Sequence, residues 1–173
     1  MEIRTQRLCL RPVCMADLET THAYASDPEN TRLMMFLPYA SIEETAQSIR
    51  DAEAQWQDPH PHHWEFAILK DGQHIGGMTL YFLPEPNEVE LGWILHKAHW
   101  RNGYVHEAAL ALIDYARTQL GMKRIIACCD SENTASYLLM ERLGMRCIVR
   151  DGSRKNRSSG DEERTELIYE MLL

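Results

Sequence analysis

The sequence lacks the features that mark membrane, secreted and multidomain proteins. No stretch approaches the roughly 20 apolar residues that span a bilayer, and residues 1–7 carry charges where a signal peptide has an apolar run. No repeat, low-complexity tract or linker interrupts the chain. We therefore expect one domain over residues 1–173, a cytoplasmic location and no membrane partner.

Disulfide, metal and nucleic-acid roles also find little support. The five cysteines form no C-x-x-C pair, which favours free thiols in a reducing compartment. His60, His62 and His63 lie among prolines with no cysteine or carboxylate to complete a ligand set, so we expect a surface loop and no metal. The formal charge of −8 leaves no basic surplus for a nucleic-acid partner, and it favours cationic partners such as amines.

What the sequence does contain is a series of strand and helix patterns. Ser41 and Glu44 form the capping-box pattern of a helix start, and Asp71-Gly72 is typical of a hairpin turn. Helical signals occur between residues 16 and 37, and the polar run 151–164 predicts a mobile loop. The predicted strands cover residues 7–12, 63–69, 74–82, 88–95, 124–129, 146–149 and 167–172, and the principal helices cover 42–56, 104–120 and 134–143. Early hairpins followed by strands that alternate with helices predict an α/β or α+β domain with a mixed sheet.

The most informative stretch runs from Glu90 to Ala108, where a strand leads through a short loop into a helix. Gly103 stands immediately before that helix and lets the backbone approach a ligand closely. The first amides of a helix lack partners and lie at the positive end of its dipole, so this turn suits a pyrophosphate. Neither a G-x-G-x-x-G nor a P-loop motif occurs, which argues against dinucleotide and P-loop sites.

Four segments together resemble the GNAT N-acetyltransferases, especially the branch that contains the RimJ and RimL ribosomal-protein acetyltransferases. They occur in the order and at the separations usual in that family, and the resemblance covers nearly the whole chain. They are the opening strand Thr5–Pro12, the pair Gly92-Trp93, the loop Trp100–Ala108, and Asn133–Ser136 followed by Arg142–Met145.

The resemblance implies a mostly antiparallel mixed sheet, flanked by helices and splayed between its fourth and fifth strands to admit acetyl-CoA. The backbone of Trp93, Ile94 and Leu95 would pair with the pantetheine arm. Asn133 and Ser136 would contact the cofactor from the opposite side. Backbone amides would surround the pyrophosphate along one run of residues: Arg101, Asn102, Gly103, Tyr104, Val105 and His106.

Acetyl transfer to a primary amine requires a base, because such an amine is mostly protonated at neutral pH. Glu90 is the first candidate, since strand alternation places it with Glu88, Gly92 and Ile94 on one face, and Glu65 is the second. Many relatives carry a tyrosine in the late helix to protonate the departing thiolate, but Met140 stands there. Ser136 is then the hydroxyl best placed to assist.

These features predict an acetyl-CoA-dependent N-acetyltransferase that acts by direct transfer on a protein N-terminus or a small-molecule amine. Two alternatives stay open: a non-catalytic acyl-CoA sensor of the same fold, and an acyltransferase that uses a longer acyl donor. A homodimer also stays open. The sequence does not identify the acceptor.

Overall fold

The computed structural model describes residues Met1–Leu173, and its strands and helices follow the predicted order. The strands are β1 (Ile3–Arg4), β2 (Leu8–Pro12), β3 (His63–Lys70), β4 (Gln73–Phe82), β5 (Glu88–Leu95), β6 (Arg124–Asp130), β7 (Arg146–Lys155) and β8 (Glu163–Leu172). The helices are α1 (Leu18–Ala25), α2 (Pro28–Thr31), α3 (Ile42–Gln55), α4 (Tyr104–Thr118) and α5 (Thr134–Arg142). Short 3-10 turns occupy Met15–Asp17, Lys97–His99 and Arg157–Ser159.

The eight strands form one sheet in the order β1-β2-β3-β4-β5-β6-β8-β7. Every neighbouring pair is antiparallel except β5 and β6, which run parallel. The mixed, mostly antiparallel sheet that was predicted is therefore confirmed. The two-residue strand β1 was not predicted, so the predicted fourth and fifth strands are β5 and β6.

The two faces of the sheet are covered by different helices. Helix α4 buries Ala108, Leu112 and Ala116 in the main core, which also contains Val89 and Leu91 from β5. Helices α1 and α3 pack on the opposite face, against β4 and β3. No helix is long and apolar enough to cross a membrane.

Local signals for turns and caps agree with the structure. The two-residue hairpin loop between β3 and β4 has positive φ at both Asp71 (50°) and Gly72 (79°), as a type I′ turn requires. The Ser41 hydroxyl accepts a hydrogen bond from the Glu44 amide at 3.2 Å and so caps α3. The Glu44 carboxylate accepts from the amide of Ala40.

The prediction of a mobile loop over residues 151–164 is wrong at both ends, and only residues 156–162 connect the two strands. Strand β7 continues to Lys155 and pairs with β8, so that Arg154 lies opposite Arg164. Arg154 is buried, and its guanidinium donates to Asn156 at 2.9 Å and to Glu166 at 3.3 Å. Polar side chains that satisfy one another across strands give no hydrophobic pattern, which explains why the sequence suggested a loop.

Candidate active site

Strands β5 and β6 separate after three residue pairs. Only residues 88–90 pair with residues 124–126, and Glu90 opposite Ile126 is the last pair. Beyond that point β5 remains paired with β4 alone, down to Leu95 opposite Gly76. The backbone of residues 91–95 therefore has a sheet edge that faces a gap, at the position where the splay was predicted.

The far end of β5 is held against β4 on the other side of this gap. A Cβ atom added to Gly76 would lie 2.4 Å from the Ile94 carbonyl oxygen, so only glycine permits this approach. The Leu95 carbonyl accepts hydrogen bonds from Trp100 Nε1 at 2.8 Å and Asn30 Nδ2 at 3.0 Å. Leu95 is one of the three residues predicted to pair with the pantetheine arm, but its carbonyl is already bonded within the protein.

The turn that follows β5 exposes the first amides of α4. Gly103 is the N-terminal cap of this helix with φ at 75°, in the left-handed region, and Arg101 has φ at 62°. The amides of residues 104–106 have no acceptor, and the first bonded amide is that of Glu107, to the Gly103 carbonyl. An anion at this turn would meet free N–H groups at the positive end of a 15-residue helix.

The opening strands are tied to this same turn. The Glu107 carboxylate, in the first turn of α4, accepts from the Thr5 hydroxyl at 2.5 Å and from Arg7 Nε at 2.6 Å. Arg7 Nη1 donates to the Asn102 carbonyl at 3.0 Å. No role at this turn was predicted for Thr5 or Arg7, and the only sequence signal was that their segment resembles the opening strand of the family.

Helix α5 begins on the other side of the gap, because it follows β6 as α4 follows β5. Asn133 caps α5, and its side-chain oxygen accepts from the Ser136 amide at 3.2 Å. The Ser136 hydroxyl has no protein partner and is half-buried. Both predicted cofactor segments therefore lie at the carboxyl ends of two neighbouring parallel strands, where open α/β sheets bind ligands.

Met140 is fully buried in the main core. Its thioether has no exchangeable proton, so the position where many relatives carry a tyrosine supplies no acid in this protein. Ser136 lies one turn earlier, near the start of α5, and its half-buried side chain provides a hydroxyl on that helix.

Glu90 lies on the sheet face opposite the main core, at the mouth of the gap. Burial raises the pKa of the Glu90 carboxyl, and the neighbouring Cys128 thiol partly offsets this effect. Burial, together with the carboxylates of Glu90 and Glu166, raises the pKa of Cys128 well above its ordinary value. Cys129 belongs to the main core, whereas Cys128 is only half-buried and lies outside it.

Glu65 lies on the same face, in the row of opposed residues that links it through Thr79 to Gly92. Its carboxylate accepts no hydrogen bond, and burial and then the charge of Asp17 raise its pKa to about 7. Burial, and after it the charge of Glu65, raises the pKa values of three tyrosines, Tyr24, Tyr39 and Tyr81. After burial, the charges of both Glu65 and Glu90 contribute to the raised pKa of Tyr81, so the two predicted carboxylates lie near the same tyrosine.

A groove of about 370 Å³ opens beside one of these tyrosines, Tyr39. It is lined by Tyr39, Glu44, Gln47, Ser48, Asp51 and His63. Arg157, from the turn between β7 and β8, pairs with Glu44 at 2.5 Å, and its amide donates to the Met35 carbonyl at 3.1 Å. The segment predicted to be mobile therefore forms part of the rim of this groove.

Comparison with known proteins finds the same family throughout. Residues 7–146 match a family model described as an acetyltransferase (GNAT) domain. An uncharacterized N-acetyltransferase of Bacillus subtilis, YnaD, is 30% identical over 176 residues, which cover 99% of this chain and 97% of that protein. The crystal structure of a GNAT-family acetyltransferase from Bacillus anthracis superposes with a TM-score of 0.82 at 28% identity, covering 99% of this chain and 98% of the other.

The fold also matches that of a RimL ribosomal L7/L12 alpha-N-protein acetyltransferase solved in complex with coenzyme A. The TM-score is 0.84 over 100% of this chain and 98% of the other, at 16% identity. At this identity the likeness establishes the fold alone.

Proposed function

Because the chain belongs to the GNAT acetyltransferase family, we propose that this N-acetyltransferase moves an acetyl group from acetyl-CoA directly to a primary amine. The observation that carries the proposal is the gap between β5 and β6, with the free amides of α4 at its end. A sheet edge, an anion-binding turn and buried carboxylates lie along one path from that turn to the opposite sheet face.

The residues present fit coenzyme A without requiring any metal. The backbone of Trp93 would pair with the pantetheine arm as an added strand, and the amides of residues 104–106 would hold the pyrophosphate. Ile94 was also predicted to pair with the arm, but its carbonyl faces Gly76 of β4, so its backbone groups belong to the sheet. Asn133 and Ser136 would contact the arm from α5. When bound, acetyl-CoA supplies the activated acetyl group as a thioester.

Within this arrangement the protein must remove a proton from the amine. We assign this role first to Glu90, because it is the last paired residue before the strands separate and so lies beside the incoming thioester. Glu65 is the second candidate, supported by its unpartnered carboxylate and its pKa of about 7. Of the two predicted oxyanion donors, the amide of Leu95 faces the gap and would stabilise the oxyanion, and the Ser136 hydroxyl would donate to the departing thiolate.

Direct transfer is favoured over an acyl-enzyme. The cysteine nearest the two carboxylates is Cys128, whose raised pKa keeps the thiol protonated at neutral pH. A protonated thiol is a poor nucleophile. Cys129 is buried in the core with its pKa raised to about 12, so it cannot serve either.

The acceptor we propose is a protein N-terminus or a small-molecule amine. The RimL neighbour carries in its name an N-terminal acetylation of ribosomal L7/L12, which makes a peptide N-terminus the first acceptor to try. Asp51 supplies a carboxylate to the lining of the groove that is compatible with a cationic amine of either kind, whereas Glu44 is already paired with Arg157.

The test is to follow release of free thiol from acetyl-CoA with a panel of peptides bearing free N-termini, polyamines, aminoglycosides and small amines. Acetylated peptides of the same sequences serve as controls. Turnover with a free amine and none with its acetylated counterpart supports the proposal. Tight acetyl-CoA binding with no turnover on any amine would indicate a sensor, and faster turnover with a longer acyl-CoA would change the assigned donor.

A further inference from the structure

One arginine makes most of the contacts between the opening strands and the start of α4. Arg7 reaches the Glu107 carboxylate twice, through its backbone amide at 2.8 Å and through Nε at 2.6 Å. Thr5 adds its hydroxyl to the same carboxylate. These contacts join segments about 100 residues apart in the chain, and we call this set of Thr5, Arg7 and Glu107 the clamp.

The guanidinium of Arg7 extends from the clamp along the anion-binding turn. Its Nη1 donates to the Asn102 carbonyl at 3.0 Å, and its central carbon lies 4.8 Å from the centre of the Tyr104 ring. Nη2 has no protein partner, and it would lie 3.6 Å from a Cβ atom placed on Gly103. A single side chain thus contacts Asn102 and Tyr104, the residues on either side of the helix cap, and passes close to Gly103.

The clamp also removes an electrostatic conflict. Glu107 places a carboxylate in the first helical turn, beside amides that have no acceptor, and a negative charge there would repel a pyrophosphate. Burial alone would raise the pKa of Glu107, but the hydrogen bonds from Thr5 and Arg7 outweigh burial and lower it. Glu107 is therefore ionised at neutral pH, and Arg7 is the cation that neutralises it.

We propose that Arg7 is a positioning residue for the acyl donor. It holds residues 102–104 in the conformation that directs the first amides of α4 outward, and it offers Nη2 to the same anion. This inference rests on the proposed function, in which the pyrophosphate of acetyl-CoA binds at this turn. It gives Arg7, which lies 100 residues before Glu107 in the chain, a role in binding the acyl donor.

Lysine could not replace Arg7 in this role. The guanidinium is a planar fork with five N–H groups, so it bonds Glu107 and Asn102 simultaneously while it lies over the Tyr104 ring. An ammonium is a single point charge, which could neutralise Glu107 but would leave the Asn102 carbonyl without its donor. The Arg7→Lys variant therefore separates the effect of charge from the effect of geometry.

The experiment compares Arg7→Ala and Arg7→Lys with Arg4→Ala as the matched control. Arg4 lies in β1, three residues before Arg7, but its side chain is exposed and pairs only with Glu2. Acetyl-CoA affinity is measured by calorimetry, and steady-state rates are measured with acetyl-CoA and with S-acetylpantetheine, which keeps the thioester but lacks the pyrophosphate. Exchange of the backbone amides of residues 107–110, the first hydrogen-bonded amides of α4, is followed by mass spectrometry without ligand.

We expect Arg7→Ala to weaken acetyl-CoA binding roughly 10- to 100-fold, the range for losing hydrogen bonds to charged groups. The kcat at saturating acetyl-CoA and the kcat/KM with S-acetylpantetheine should stay close to wild type. Amide exchange in residues 107–110 should become faster, Arg7→Lys should recover only part of the affinity, and Arg4→Ala should match wild type.

Equal losses with the full and the truncated donor would overturn the inference, because they would indicate a general structural role. Full recovery by Arg7→Lys would also overturn it, since charge alone would then suffice. If wild-type protein failed to bind acetyl-CoA, the proposed function would fall. Amide exchange would still decide the clamp, because unchanged exchange in Arg7→Ala would refute it and faster exchange would support it.

Discussion

Replacing Glu90 with glutamine tests the proposed chemistry most directly. Glutamine keeps the size and polarity of the side chain but cannot accept the amine's proton. A general base contributes about 10²–10⁴-fold, so we expect kcat/KM at pH 7 to fall by a factor in that range. Acetyl-CoA affinity, measured by calorimetry, should be unchanged, because Glu90 lies on the sheet face and away from the anion-binding turn.

The pH dependence adds a second test of the same variant. Burial raises the pKa of Glu90, so the wild-type rate should rise with pH through this raised value as the base becomes ionised. The deficit of Glu90→Gln should shrink at high pH, where the amine loses its proton to solvent. Glu88→Gln is the matched control: Glu88 lies two residues earlier on the same face, is ion-paired with Arg124 at 2.7 Å, and should be dispensable for the rate.

Glu65 can be distinguished from Glu90 by stability as well as by rate. Its pKa is about 7 in the folded protein against an ordinary 4.5. Each tenfold change in an ionisation constant corresponds to about 1.4 kcal/mol, so ionised Glu65 destabilises the fold by at most about 3.5 kcal/mol. Because the folded pKa is the higher one, this loss is absent below pH 4.5, grows between pH 4.5 and 7, and is complete above pH 7.

Chemical denaturation at pH 4 and pH 8 measures this effect. Glu65→Gln should be as stable as wild type at pH 4 and more stable at pH 8. A Glu90→Gln enzyme within about threefold of wild type at pH 7 and saturating acceptor would refute the assignment of Glu90. If Glu65→Gln then abolished both the rate and its rise near pH 7, Glu65 would be the base.

Four further outcomes are expected. Gly103→Val should stay folded but bind acetyl-CoA at least about tenfold more weakly in calorimetry, because a β-branched residue is strained at positive φ, and unchanged affinity would contradict the turn assignment. Gly76→Ala should push β5 out of position and lower both the melting temperature and kcat, whereas a neutral result would mean that the strands adjust freely. Cys128→Ala should leave turnover intact, and acetyl-labelled Cys128 in enzyme without amine would refute direct transfer. Arg157→Ala should raise the KM for the acceptor and leave the KM for acetyl-CoA unchanged. An equal change in both KM values would mean that the groove does not bind the acceptor.

The sequence by itself determined the elements whose signals are local. The Asp71-Gly72 turn, the Ser41 cap and the amphipathic face of α4 each depend on residues within a few positions of one another, so patterns of propensity and period suffice. The strand-loop-helix turn at Gly103 belongs to the same class. The family resemblance added the mostly antiparallel character of the sheet and the splay between β5 and β6, which the pairing of residues 88–90 with 124–126 confirms.

Only the tertiary structure decided features that depend on residues far apart in the chain. Arg7 and Glu107 are 100 residues apart, and no local pattern records that they meet. The run 151–164 reads as a loop because its polar groups have no partners in the sequence, whereas in the fold they pair across strands and with Glu44. Glu65 and Glu90 differ in the same way, since burial and neighbouring charges set a carboxyl's pKa, and both arise only when distant strands come together.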